Sequence, residues 1–120
     1  LKMKNHVFAL LCVLITSSMA LAGKPLPSSP ELISKGQVSY KTNCAVCHGD
    51  KGDGNGPAGA SLNPKARNFI SEKYKFGSKP EQVFKTISEG SKNTSMAGFA
   101  HLSEEERWGL TYYVLGLKKK

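Results

Sequence analysis

The amino-acid sequence predicts an all-α domain of three to four helices joined by long loops. Three observations carry this. Apolar residues recur at spacings of three and four in three separate stretches, and no stretch shows the strict alternation of a half-buried strand. From Gly49 to Lys79 glycine, proline and asparagine dominate, with turn signals at Gly52, Gly54, Gly56, Pro57, Gly59 and Asn63-Pro64. A compact domain that keeps so long an irregular segment needs something for it to wrap.

With 120 residues the chain has room for one small domain, and small domains bury a poor fraction of their surface without a staple or a cofactor. Residues 1–22 are expected to be a removable export signal. Lys2 and Lys4 precede the apolar run Val7 to Ile15, and Ala20-Leu21-Ala22 is a small-x-small cleavage site. The apolar run is short for a bilayer span and is followed by Thr16, Ser17 and Ser18, so a membrane anchor facing the periplasm is the secondary expectation. Residues 23–30, including GKPLPSS, are expected to form a flexible leader, and 31–120 the folded domain.

The first helix should start where Ser29 caps, Pro30 takes the first helical position and Glu31 meets the positive end of the dipole. Ile33, Gly36, Tyr40, Cys44 and Cys47 share one face, which places both cysteines at the inward-facing C-terminal end of that helix. A short helix is predicted from about Pro80 to Glu89, with Val83, Phe84 and Ile87 inward and Gly90 ending it. The last helix follows a capping box, Ser103 with Glu106, and its buried stripe is Leu110, Tyr113, Val114 and Leu117.

The formal net charge is +8. Without residues 1–22 there remain 15 Lys and Arg against 9 Asp and Glu, or +6. The lysines are scattered and export is expected, so the charge does not indicate nucleic acid. It indicates a solvated surface, or steering toward an acidic partner.

Residues 44–48 read Cys-Ala-Val-Cys-His. Zinc needs about four ligands, and beyond these three side chains the exported chain offers only the distant His101 without the paired-histidine spacing. Thiol-disulfide chemistry wants a βαβ setting that the pattern lacks, and it leaves His48 without a role. Covalent haem uses every residue of the motif: two thiols at the spacing that reaches two vinyl groups, and an adjacent imidazole for the iron.

With CAVCH at the end of the helix bearing Gly36, Tyr40 and Cys44, and GDGNGPA after it, the chain from about Glu31 to Lys118 closely resembles the class I c-type cytochromes. It is most similar to the small bacterial single-haem kind, which shares its domain type with oxidase-associated cytochrome c subunits. The resemblance implies the cytochrome c fold, with helices and long loops wrapped around one haem c per chain attached through Cys44 and Cys47. It further implies that Gly36 lets the C-terminal helix cross closely, that the Pro57 carbonyl accepts a hydrogen bond from the second nitrogen of His48, and that Arg67 faces a haem propionate. His48 and Met96 would be the axial ligands. Met96 is also the one methionine left after residue 22. His101 is the rival ligand, and Ala97 stands where a proline often follows the methionine.

The function so implied is one-electron transfer by an exported, periplasmic, monomeric carrier rather than catalysis. Its partners would be redox proteins, acidic at the contact, such as a terminal oxidase, reductase or dehydrogenase, met transiently at a membrane complex. The alternatives are a haem enzyme or gas-binding cytochrome if Met96 is not a ligand, and a fixed haem subunit of a respiratory complex.

Overall fold

The structure, a computed structural model, describes residues 24–118. The expected export signal lies outside the described residues. Four α-helices and one 3₁₀ turn are present and no strand occurs among the described residues: α1 (Pro30–Asn43), α2 (Ala45–His48), the turn Gly59–Ser61, α3 (Pro80–Glu89) and α4 (Glu104–Gly116). No helix among them is long and apolar enough to cross a membrane.

Helix α1 begins as its sequence signals. Ser29 is extended, its Oγ accepts the Leu32 N–H at 3.1 Å, and Pro30 occupies the first turn, where its missing N–H leaves no vacant bond. The leader is less free than its composition implies, because the Tyr112 hydroxyl of α4 donates to the Leu26 carbonyl at 2.6 Å.

The expected single helix through the cysteine motif is interrupted. Cys44 caps α1 and then opens α2, so His48 ends a separate short turn. The 3-4 spacing of apolar positions continues across this break, which is why it cannot be seen in the pattern alone.

Helices α1 and α4 cross with their backbones nearly touching. A Cβ on Gly36 would stand 2.0 Å from the Gly109 carbonyl oxygen, and one on Gly109 would stand 2.5 Å from the Leu32 carbonyl oxygen. Only paired glycines permit this approach. The α4 box is formed in both directions: Ser103 Oγ accepts the Glu106 N–H at 3.1 Å, and Glu106 Oε2 accepts the Ser103 N–H at 3.0 Å. The buried stripe of α4 is wider than expected and comprises Trp108, Gly109, Leu110, Thr111 and Val114, with Tyr113 half-buried. Trp108 stacks on Phe84 of α3 at 4.1 Å and serves the packing of those two helices.

The buried apolar cluster consists of Tyr40, Ala45, Val83, Ile87, Leu110 and Val114. All but Ala45 also line one cavity that opens to the surface. The core of this domain is therefore a shell around a space.

Candidate haem site

That cavity measures about 450 Å³, within the range of small-molecule and cofactor sites. Its size and mostly apolar lining fit a bulky apolar group. The walls are drawn from every part of the fold: α1 and α2 supply Tyr40, Cys44, Cys47 and His48, the long loop Arg67, Phe69 and Tyr74, and the segment before α4 Met96 and Phe99.

Cys44 and Cys47 are both unpaired thiols, half-buried on the cavity wall. Burial, followed by the nearby Cys47, pushes the Cys44 thiol up to about 11. A redox dithiol needs its thiolate lowered by a helix N-terminus or a cation, and Cys44 has the opposite environment. Among the described residues no three His, Cys, Asp or Glu side chains gather as a metal cage. Both thiols lie on the cavity wall, where a group held in the cavity can reach them.

His48 is seated by two contacts. Its Nδ1–H donates to the Arg67 carbonyl at 3.0 Å, since a carbonyl only accepts, and its ring stacks on Phe69 with centroids 4.5 Å apart and planes 22° apart. Burial, the larger cause, lowers its pKa below the usual imidazole value, partly opposed by the Arg67 carbonyl. The ring is therefore neutral near pH 7, with the Nε2 lone pair free, which is the form that ligates iron.

The carbonyl expected from Pro57 thus comes from Arg67. Gly56 N–H bonds the Cys47 carbonyl at 3.1 Å and Ala58 N–H the Val46 carbonyl at 2.9 Å, which leaves Pro57 between them, exposed and away from the cavity lining. Farther along, Phe69 N–H bonds the Gly52 carbonyl at 2.7 Å and draws residues 67–69 to His48. The side chain of Arg67 lines the cavity, with its guanidinium 3.1 Å from Glu72 and bonded also to the Lys73 carbonyl. Phe69 is a site residue that sequence reasoning missed. An aromatic in a loop otherwise rich in turn residues was its only signal.

Met96 lines the same cavity, half-buried, whereas His101 is exposed and does not line it. The cysteine motif, Arg67 and Met96 are therefore brought to one cavity; Pro57 and His101 are not.

A family model described as cytochrome c oxidase, cbb3-type, subunit III matches residues 31–114. The chain belongs to that family of cytochrome c domains. Among solved structures it is similar to a chain of a reducing HAO-like protein complex from Kuenenia stuttgartiensis, with a TM-score of 0.74 and 35% identity. The match covers 81% of this chain and 48% of that one, so this cytochrome domain corresponds to about half of the longer chain. A domain of this family implies haem c and haem-based electron transfer. Its helical fold is the one the resemblance predicted, and the cavity is where its cofactor would lie.

Proposed function

We propose that this domain is an exported mono-haem c-type cytochrome that carries single electrons and catalyses no reaction of its own. The observation that carries the proposal is that Cys44, Cys47, His48 and Met96 line one apolar cavity whose wall is the core of the fold. In this reading Cys44 and Cys47 would hold the haem through thioethers, His48 Nε2 and the Met96 sulfur would ligate its iron, and the periplasm would be the working compartment. Bound haem iron supplies reversible exchange between the ferrous and ferric states.

The chain's own residues do the rest. The Arg67 carbonyl and Phe69 hold one imidazole orientation, so His48 does not turn when the charge on the site changes. Thioether sulfur and the apolar wall of Val83, Ile87, Leu110 and Val114 favour the lower charge, which raises the reduction potential relative to two histidines.

Electron exchange with a partner needs an accessible edge. Val46 and Phe76, 51% and 48% exposed, are among the cavity-lining residues, as are the exposed Lys65 and Lys75. An apolar rim with lysines suits brief docking of an acidic redox protein. Reduction by such a partner should slow as ionic strength rises.

The decisive experiment is optical. A pyridine haemochrome spectrum with two-thioether character is expected from the loaded protein, together with a weak far-red band in the ferric state that Met96→Leu abolishes. A far-red band that survives Met96→Leu overturns the His/Met assignment.

A second reading is favoured by one observation, that the match covers only 48% of the other chain, which belongs to a complex. There this domain would be a fixed haem relay within a larger assembly. Co-purification of a stoichiometric partner at high salt would select it over a diffusing carrier.

A further inference from the structure

The segment that carries Met96 is folded around one hydroxyl. Thr94 Oγ1–H donates to the Ser91 carbonyl at 2.7 Å, and the same oxygen accepts the Met96 N–H at 3.1 Å. The Met96 carbonyl in turn accepts the Ser91 N–H at 3.1 Å. Both backbone groups of Met96 are thereby tied to Ser91, one directly and one through Thr94.

Two features make the tie close. Gly90 has φ 79°, and a Cβ there would stand 2.6 Å from the Met96 carbonyl oxygen, so the loop can fold flat against its own start. Beyond Met96, Phe99 N–H bonds the Ile87 carbonyl at 2.9 Å and returns the chain to α3. Ser91, Thr94 and Met96 all line the cavity. Ala97 follows the methionine, so no proline ring restricts the backbone there.

We infer that Thr94 is the positioning residue for Met96: its hydroxyl bridges Ser91 to Met96 and sets how firmly the methionine sulfur is presented to the cavity. The inference rests on Met96 being the distal ligand. It names a side chain, rather than backbone restriction at residue 97, as the source of the loop's stiffness.

Thr94→Val keeps the shape and removes both bonds, whereas Thr94→Ser keeps the hydroxyl. In the ferric, haem-loaded protein, imidazole titrated as a competing ligand should bind Thr94→Val roughly tenfold more tightly than wild type, the effect of two net hydrogen bonds lost from the Met96-bound state. The far-red band should weaken and the midpoint potential fall in the same variant. Thr94→Ser should stay within about twofold of wild type on the same scale.

The inference is overturned if Thr94→Val matches wild type in imidazole affinity and band intensity, or if Thr94→Ser moves as far as the valine. Should Thr94→Val fail to load haem, Thr94→Ala carries the same expectation. Met96→Leu separates the two layers. If it abolishes the band while the Thr94 variants change nothing, the clamp alone fails; if the band survives, the ligand assignment fails and the clamp with it.

Discussion

The two sides of the cavity are built by different means. His48 is seated by long-range structure: a backbone carbonyl 19 residues away and an aromatic ring delivered by the same loop. Met96 is seated by short-range structure, since Ser91 and Thr94 lie within five residues and one of the ties is a side-chain hydroxyl. A backbone carbonyl survives almost any substitution at its residue, whereas a hydroxyl is lost with one. The hydrogen bond that orients His48 therefore outlasts most substitutions, whereas one of the two ties on Met96 is lost with a single hydroxyl.

The largest effect should come from removing what both halves share. Cys44→Ala with Cys47→Ala should abolish covalent haem, read as loss of the haem mass from the intact protein. The next largest concerns the frame. Gly109→Val forces side-chain atoms into the Leu32 and Gly36 backbone, where a Cβ alone comes within 2.5 Å, and overpacking of this kind should cost on the order of 3 kcal/mol, read from denaturant midpoints.

Comparing the halves directly gives the sharpest result. Phe69→Leu removes the ring stacked on His48 and should cost about 1 to 2 kcal/mol in unfolding free energy. Arg67→Ala keeps the carbonyl and loses a half-exposed guanidinium with its bonds to Glu72 and the Lys73 carbonyl, so it should cost about 1 kcal/mol and leave the far-red band intact. If Arg67→Ala disturbed the band more than Thr94→Val, the contrast between backbone seat and side-chain clamp would be wrong.

The smallest effect is the response to pH. His48 has its pKa lowered by burial, as Glu31 and Glu106 have theirs lowered by hydrogen bonds at their helix starts. Groups lowered in the folded state favour it above their ordinary values and lose that contribution as pH falls. Tyr40 and Tyr74 are shifted the other way by burial, Tyr74 to about 12, so their contribution is present below their ordinary value of 10 and is lost as pH rises through the folded pKa. The melting temperature of the protein before haem is loaded should fall as pH drops below about 6.5, following the ordinary histidine value, and again above about pH 10, where the tyrosines ordinarily titrate. A rise between pH 7 and 5 would contradict these directions.

Local signals in the sequence proved readable where one short segment contained the whole cause. Ser29 with Pro30, and Ser103 with Glu106, marked helix starts that the structure forms bond for bond. The Pro57 assignment failed because the partner of His48 depends on where the long loop closes, and that is decided by Phe69 bonding Gly52. Gly109 was overlooked for a related reason. A glycine in mid-helix reads as a weakness until its partner, Gly36, is seen opposite it. The helix break at Cys44 left the apolar spacing untouched, so periodicity could not report it.

The crossing of α1 and α4 has a further consequence for the order in which the molecule is completed. The thiols and His48 come early in the chain, while Leu110 and Val114, part of the wall that faces them, belong to the last helix. During synthesis the two thiols and His48 emerge some sixty residues before that part of the wall. Closure then waits for two glycines at opposite ends of the domain to meet.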